Sequence, residues 1–326
     1  MPGRGAGRRR SLRLKYLVTG CAGFVGSHLS EALVRDGHSV VGVDCFTDYY
    51  PVRLKRSNIS ALQGEEGFRL VDADLATSSL AKLVAGVDGV FHLAAQPGVR
   101  ASWGKTFSHY VRNNIVATQR LLEALKESPS KLVYASSSSV YGDAERLPTS
   151  ESAMPEPVSP YGSTKLAGEH LCHVYHRNFG LPAVTLRYFT VYGPRQRPDM
   201  AFNRFISKIA EGEEVEVYGD GEQKRDFTFV GDIVEGTILA LRAKPGTTYN
   251  VGAGNTVVLN EVISTMESII GKKARIRRLR TAKGDVRNTS ADITSISRDL
   301  GYRPKTTIRE GLELQIATQV RNKVRG

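Results

Sequence analysis

The stretch that decides the fold is Lys15-Tyr-Leu-Val-Thr-Gly-Cys-Ala-Gly-Phe-Val-Gly26. Its first five residues form a short apolar run, which predicts a buried strand, and glycines follow at positions 20, 23 and 26. A helical pattern of apolar residues comes next and ends at Gly37, which is suited to cap the helix. A second apolar run, Ser39 to Asp44, predicts another strand. A strand, a tight glycine turn, a helix and a strand in this order indicate a parallel βαβ unit.

The same alternation continues along the chain. Further apolar runs predict four more strands, at residues 68–71, 89–93, 131–135 and 183–188. The two longest helical patterns between them cover residues 107–127 and 160–179. Strands that are apolar almost throughout indicate a parallel sheet covered by helices on both faces. The predicted fold class is therefore α/β, with a doubly wound parallel sheet of the Rossmann type.

The pattern changes after about residue 193. A helix is predicted at 201–211, a strand at 214–218 and a helix at 259–270, which indicates a smaller, mixed α/β C-terminal lobe. We therefore divide the chain into a basic arm (1–14), the Rossmann domain (15–193) and the second lobe (194–326). The arm is predicted to be disordered because its basic residues are mixed with glycine and proline.

Composition and charge exclude several classes of function. The formal net charge is +12, but the basic residues at positions 275–280 are not interleaved with the aromatic side chains on which nucleic-acid bases stack. No run of 18 apolar residues is present, and the three cysteines have no metal-ligand spacing. We therefore expect no nucleic-acid partner, no membrane partner and no metal. The few cysteines favour a cytoplasmic protein with reduced thiols.

The glycines and Asp44 together predict a dinucleotide site. Gly20, Gly23 and Gly26 allow backbone N–H groups to approach a pyrophosphate at the N-terminus of the helix. Asp44 ends the second strand, where a carboxylate accepts hydrogen bonds from the adenosine ribose and repels a 2′-phosphate, so NAD is expected rather than NADP. Asp74, after the third strand, either bonds the adenine amino group or caps a helix. The other expected cofactor neighbours, near the glycines or the strand ends, are Phe24, Val25, Leu75, Leu93, Ala94, Ala95 and Tyr188.

A tyrosine and a lysine predict a site for proton transfer. Tyr161 and Lys165 are four residues apart at the start of the predicted helix 160–179, so they share one face. An ammonium group beside a phenol lowers the pKa of the phenol, and a phenolate near neutral pH can accept a proton from a sugar hydroxyl. Serines occupy positions 136 to 139, after the strand predicted at 131–135, and a hydroxyl there can share that proton.

These motifs resemble the extended short-chain dehydrogenase/reductase family over nearly the whole chain after residue 14. The three glycines, the serine run before Val140-Tyr-Gly and the Tyr161-xxx-Lys165 motif carry the resemblance. It implies that Ser137 is catalytic, that Tyr161 is the base and that Lys165 holds the nicotinamide ribose. It also places Asn114 near the cofactor. Members of the family commonly pair two long helices with those of a second subunit, so a homodimer is expected.

Local residues favour one branch of that family. Dehydratases of sugar nucleotides and UDP-glucuronate decarboxylases carry acids just before Val-Tyr-Gly, whereas this chain has Ser138 and Ser139, which cannot do the acid/base work of a carboxyl group. Residues 187–200 closely resemble UDP-glucuronate 4-epimerases. Thr190 stands where UDP-glucose 4-epimerases usually have Asn, and Arg197 suits the sugar carboxylate because a guanidinium binds a carboxylate through two hydrogen bonds. The alternative roles of Arg197 are contact with the diphosphate and exposure to solvent in a loop.

The resemblance also assigns the nucleotide end of the substrate. It implies that Arg225 clamps the diphosphate and that Asp285 binds a ribose hydroxyl. Tyr218 and Asn203 are placed near the uracil and the phosphates, and Arg100 is placed facing the substrate. Ordinary packing or surface roles remain open for these residues. In this reading residues 15–193 bind NAD and residues 194–326 mainly bind the nucleotide sugar.

The predicted function is NAD-dependent C4 epimerisation of UDP-glucuronic acid to UDP-galacturonic acid through a 4-keto intermediate. This reaction needs only the phenol, the serine and NAD, because the hydrogen removed from C4 is returned to the other face of the sugar. UDP-glucose 4-epimerase is the main alternative within the family, ahead of UDP-glucuronate decarboxylase and sugar-nucleotide dehydratase. An alternative of another class is a non-catalytic regulator that binds NAD.

Overall fold

The computed structural model describes residues 13–281 and 284–324, so residues 1–12 of the predicted arm lie outside the described residues. At the start of the described chain, Arg13 Nε donates a hydrogen bond to Ser39 Oγ at 2.8 Å, and Leu14 packs against the core. Within these ranges, none of the helices has the length and apolar character needed to cross a membrane. No group of His, Cys, Asp or Glu side chains suited to a metal ion occurs there either.

A parallel sheet of seven strands forms the centre of the molecule, in the order β11-β6-β5-β4-β1-β2-β3. The strands of the described residues are β1 (Lys15–Thr19), β2 (Ser39–Asp44), β3 (Phe68–Asp72), β4 (Gly89–His92), β5 (Lys131–Ser137), β6 (Ala183–Tyr188), β7 (Thr190–Tyr192), β8 (Glu214–Tyr218), β9 (Lys224–Arg225), β10 (Phe227–Phe229), β11 (Thr248–Val251), β12 (Val257–Val258) and β13 (Arg275–Leu279). This confirms the predicted doubly wound fold. The strand order reverses between β1 and β4, and ligands bind at such a point, beyond the carboxyl ends of the strands.

Helices cover both faces of this sheet and build the second lobe. Those of the described residues are α1 (Phe24–Arg35), α2 (Val52–Asn58), α3 (Ala81–Val84), α4 (Phe107–Tyr110), α5 (Ala117–Leu125), α6 (Pro160–Phe179), α7 (Ala201–Glu211), α8 (Val230–Leu239), α9 (Leu259–Ile270), α10 (Thr294–Leu300) and α11 (Ile308–Val324). The helix predicted over 107–127 is interrupted, because a π-helical segment, Val111–Val116, separates α4 from α5. Such segments often occur at functional sites.

The position of α6 follows from its end signals. The Ser159 side chain accepts a hydrogen bond from Gly162 N, and proline occupies the first helical position, where its missing N–H costs nothing. The helix ends at Gly180, whose φ of +71° is the left-handed conformation that favours glycine. These signals fix the predicted helix 160–179 at its observed bounds and place Tyr161 in its first turn.

Two hydrophobic cores cover the two faces of the sheet. One core contains residues of α1 and α8, such as Leu29 and Ile233, and the other contains residues of α5 and α6, such as Leu122 and Cys172. A third core, outside the sheet, joins α7, α9 and α11 to β8. Because the third core lies outside the sheet, the chain forms a sheet domain and a second lobe.

The division at residue 193 does not separate these cores. Strand β11 and helix α8 both follow residue 194. Even so, β11 pairs with β6 in the main sheet, and α8 packs against α1. The segment 194–326 therefore contributes to both parts of the molecule. The sequence did not reveal β11 because it is only four residues long and its partner strand lies about 60 residues earlier in the chain.

Candidate active site

A cavity of about 370 Å³ opens beyond the carboxyl ends of the sheet strands. Every residue predicted for the cofactor lines this cavity except Asn114. The catalytic candidates Ser137, Tyr161 and Lys165 also line it, together with Ser138, Thr190 and Arg197 from the predicted substrate set. The tertiary structure thus brings the two predicted constellations into one space.

The glycine turn at one end of the cavity is built so closely that side chains are excluded. Gly20 has φ of +70°, and a Cβ added to Gly26 would lie 2.1 Å from the carbonyl oxygen of Gly20. Helix α1 begins at this turn without a side-chain cap and without an acidic residue in its first turn. Uncapped N–H groups and the partial positive charge of a helix N-terminus favour a bound anion.

Asp44 lies at the end of β2 and is partly neutralised by its surroundings. Its carboxylate accepts hydrogen bonds from Phe46 N at 2.8 Å and Ala22 N at 3.2 Å. Burial raises the pKa of Asp44, while the nearby Lys55 and these two N–H groups oppose the rise. The carboxylate lines the cavity, where it can accept hydrogen bonds from ribose hydroxyls.

Asp74 and Asn114 differ in their relation to the cavity. Asp74 lines it, accepts a hydrogen bond from Ala76 N at 2.8 Å and pairs with Arg112 at 2.5 Å, so the acid both orders its turn and faces the cavity. Asn114 is buried in the π-helical segment, where its amide bonds to the backbone N and O of Gln96 and to Thr164 Oγ1. These bonds give Asn114 a structural role, because they hold the segment after β4 against α6, and the cofactor contact of Asn114 stays a prediction.

The catalytic candidates meet where β5 ends beside the first turn of α6. Burial raises the pKa of Tyr161, and a hydrogen bond with Ser137 and the charge of Arg197 both oppose the rise. Lys165 is buried, and its Nζ lies 4.5 Å from the centre of the Tyr134 ring. Burial lowers the pKa of Lys165 to about 8. Ser137 and Arg197 are thus the groups that oppose the rise in the pKa of Tyr161, and the effect of Lys165 on that phenol, expected from the helix spacing, stays a prediction.

The sugar end of the cavity is lined by Ser138, Thr190 and Arg197. The Arg197 side chain is only 17% exposed, and it forms two hydrogen bonds of 3.0 Å to the carboxylate of Asp199. Arg197 therefore presents a positive charge to the region next to Tyr161. A cation close to a phenol and to hydroxyl groups can bind an anionic group of a substrate.

The residues predicted for the nucleotide form a second cluster. Arg100 lies 3.8 Å above the centre of the Tyr218 ring and pairs with Asp285 at 2.5 Å. Arg225 donates from Nη2 to the carbonyl oxygen of Val286, whereas its buried Nη1 has no hydrogen-bond partner among the described residues. Burial also lowers the pKa of Arg225. An unsatisfied buried guanidinium nitrogen is a suitable contact for a nucleotide phosphate.

Asn203 is not part of that cluster. Its Nδ2 donates to the carbonyl oxygen of Gln196 at 2.7 Å, and its own carbonyl oxygen accepts from Gln319 at 2.8 Å. Asn203 therefore connects α7, α11 and the segment before Arg197, and its contact with uracil or phosphate stays a prediction. The periodicity of α7 did not reveal this, since the partner Gln319 is 116 residues away.

Comparison with known proteins agrees with this geometry. The model of the NAD dependent epimerase/dehydratase family matches residues 16–252. The chain belongs to this family.

Members of the epimerase/dehydratase family match this chain over most of its length. A UDP-glucuronate 4-epimerase of Thermodesulfobacterium geofontis is 40% identical, with 91% of this chain and 94% of the relative covered. An uncharacterized UDP-glucose epimerase of Bacillus subtilis is 48% identical, over 93% of this chain and 97% of the relative. The crystal structure of a Bacillus cereus UDP-glucuronic acid 4-epimerase with UDP-glucuronic acid and NAD is 46% identical, with a TM-score of 0.92, and covers 95% of this chain and 100% of that one.

The cavity has the features that the NAD of this epimerase/dehydratase family requires. The crowded glycine turn leaves space for a pyrophosphate at the start of α1, and Asp44 is placed for a ribose. Sequence reasoning missed other lining residues, among them Lys55, which donates to Thr47 Oγ1 at 2.9 Å, and Tyr50, whose buried hydroxyl has no partner among the described residues. Their approach to the cavity depends on how α2 packs.

Proposed function

We propose that this chain catalyses the reversible C4 epimerisation of UDP-glucuronic acid to UDP-galacturonic acid. The observation that carries the proposal is the sugar end of the cavity, where Arg197 and the hydroxyls of Ser138 and Thr190 lie beside Tyr161. The chain contributes a cation for the sugar carboxylate and a phenol for the 4-hydroxyl. The relatives that bind or convert UDP-glucuronic acid support the same substrate.

In this proposal each catalytic side chain handles protons or orientation. Bound NAD supplies the reversible oxidation at C4. Tyr161 takes the proton of the 4-hydroxyl and later returns it, and Ser137 shares that proton through its hydrogen bond with Tyr161. Arg197 favours the phenolate because an opposite charge nearby lowers the pKa of an acid. Lys165 holds the nicotinamide ribose with its buried ammonium group.

The hydroxyl side chains also argue against loss of water or of CO₂. Ser138 and Ser139 line the cavity at the positions where the other branches need a carboxyl group. The 4-keto intermediate of UDP-glucuronic acid is a β-keto acid, which loses CO₂ when its carboxylate aligns with the carbonyl. A carboxylate held by Arg197 stays ionised and fixed in direction, so the sugar keeps its carbon atoms.

Two further parts of the function belong to this proposal. The cluster of Arg100, Tyr218, Arg225 and Asp285 binds the uridine diphosphate, and the unsatisfied Nη1 of Arg225 supports a phosphate contact. A homodimer is supported by exposed apolar side chains on the helices expected to pair. They are Phe107 on α4, Val116 in the π-helical segment, and Val174 and Phe179 on α6. A cytoplasmic location, expected from the few cysteines, completes the proposal.

UDP-glucose 4-epimerase is a second candidate, since the Bacillus subtilis relative is named as an uncharacterized UDP-glucose epimerase. Purified protein incubated with UDP-glucuronate, and separately with UDP-glucose, would be followed by proton NMR without added NAD. We expect UDP-galacturonate from the first substrate and no change in the second. Formation of UDP-galactose alone would overturn the roles of Thr190 and Arg197. A pentose or a persistent 4-keto product would overturn the argument from Ser138 and Ser139.

A further inference from the structure

Asp199 binds the side chain of Arg197, which lines the cavity. Its carboxylate accepts hydrogen bonds from both Nε and Nη2 of Arg197, each at 3.0 Å. It also accepts a hydrogen bond from the hydroxyl of Tyr49 at 3.3 Å. The Asp199 side chain is 36% exposed, whereas that of Arg197 is 17% exposed. Asp199 thus holds Arg197 from the outer side of the cavity, while the charge of Arg197 acts on Tyr161 further inside.

The geometry of the guanidinium group leaves it able to bind a second carboxylate. A guanidinium has five N–H donors, and the two bonds to Asp199 use the side formed by Nε and Nη2. The other hydrogens, on Nη1 and Nη2, form the end-on pair, which also matches the two oxygens of a carboxylate. Asp199 therefore does not occupy the donors that a sugar carboxylate needs.

The contact also connects two parts of the molecule. Tyr49 follows β2 in the sheet domain, whereas Asp199 and Arg197 follow β7 and lie just before α7. An arginine side chain has many rotamers, and restricting it to one costs free energy. If the restriction exists before the substrate arrives, the substrate does not have to supply that free energy, and binding is tighter.

We propose that Asp199 is a positioning residue, which fixes the guanidinium of Arg197 so that its end-on donors face the carboxylate of the substrate. This inference rests on the proposed function, because it requires Arg197 to bind a sugar carboxylate. Tyr49, which also lines the cavity, supports the same arrangement through its hydrogen bond to Asp199. Asp199 acts through Arg197 and makes no contact with the reacting atoms.

The test compares the binding of UDP-glucuronate with that of UDP, which lacks the carboxylate, by calorimetry on the full chain. We expect Asp199→Ala to weaken UDP-glucuronate binding by about tenfold, as for loss of a hydrogen bond to a charged group, and to leave UDP binding unchanged. Asp199→Asn keeps one acceptor oxygen and should recover part of the loss. Asp48→Ala is the matched control, since it removes an exposed carboxylate next to Tyr49. It should leave both affinities unchanged.

A double-mutant cycle separates positioning from other effects. In the Arg197→Gln background, Asp199→Ala should cause no further loss, because the residue through which it acts is gone. Equal losses in both backgrounds, or equal losses for UDP and UDP-glucuronate, would overturn the inference. If the wild-type protein epimerises UDP-glucuronate but Asp199→Ala binds it normally, only the role of Asp199 fails. If the wild-type protein does not convert UDP-glucuronate, the proposed function fails and this inference fails with it.

Discussion

The ion pair between Glu169 and Arg187 connects the catalytic helix to the sheet. Arg187 Nε donates to the two carboxylate oxygens of Glu169 at 3.0 and 3.2 Å, and Nη2 donates to Oε2 at 2.7 Å. The two side chains are only 7% and 8% exposed. Ser136 Oγ donates to the same carboxylate at 2.5 Å, so the pair joins α6, β6 and the end of β5 next to Ser137.

We predict that Arg187→Met lowers the free energy of unfolding by about 3–5 kcal/mol, because it leaves the carboxylate of Glu169 buried without its cation. Glu169→Leu should cost a similar amount for the corresponding reason. The double replacement should cost less than either single change, since apolar side chains of similar volume can replace a buried pair without net loss. The assay is urea unfolding at constant pH, analysed as a double-mutant cycle.

A surface pair supplies the control for this prediction. Arg309 and Glu313 are 3.2 Å apart on α11 with side chains 56% and 50% exposed, so Arg309→Met should cost less than about 0.5 kcal/mol. Turnover is a second readout, because the single changes free the strand end that carries Ser137 and should lower kcat. If the single replacements of Glu169 and Arg187 lower the free energy of unfolding only slightly, and if their effects add in the double variant, the argument that this pair holds the catalytic elements together is refuted.

Three further changes test the cofactor and the proton-transfer site. Tyr161→Phe should reduce turnover by about 10²–10⁴-fold and leave the NAD content unchanged; a variant that keeps its turnover in the NMR assay would contradict the role of the base. Gly26→Ala places a Cβ 2.1 Å from the carbonyl oxygen of Gly20. The purified protein should therefore contain little NAD, and its free energy of unfolding should fall by at least about 1–3 kcal/mol. Normal NAD content, measured after denaturation, would contradict the role of the glycine turn in binding NAD. Burial lowers the pKa of Lys165 from 10.5 to about 8. Between these two pH values the unfolded chain binds a proton at Lys165 that the folded chain does not. The contribution of Lys165 to the free energy of unfolding therefore rises with pH in this range. Lys165→Met should remove this rise when the free energy of unfolding is measured in urea between pH 8 and pH 10. If the free energies of unfolding of the variant and the wild type differ by the same amount at every pH in this range, the result would argue against a buried ammonium.

The sequence by itself determined the features that depend on neighbouring residues. The glycine spacing fixed the turn before α1, since Gly20 and Gly26 meet within seven residues and no side chain fits there. The apolar runs determined the strands of the doubly wound sheet except β11. The cap at Ser159 and the left-handed Gly180 determined the bounds of α6, and with them the placement of Tyr161 and Lys165 on one helix.

Only the tertiary structure decided which side chains from distant parts of the sequence become partners. Tyr49 and Asp199 are 150 positions apart, and Asn203 and Gln319 are 116 apart, so no local pattern indicates that they meet. The same holds for β11, which joins a sheet whose other strands all precede residue 189. Periodicity specifies which face of an element is buried, but rotamers and distant contacts depend on how the elements pack. For this reason the sequence did not indicate that Lys165, which lines the cavity as predicted, also lies over the Tyr134 ring, or that Asn114 bonds to Gln96.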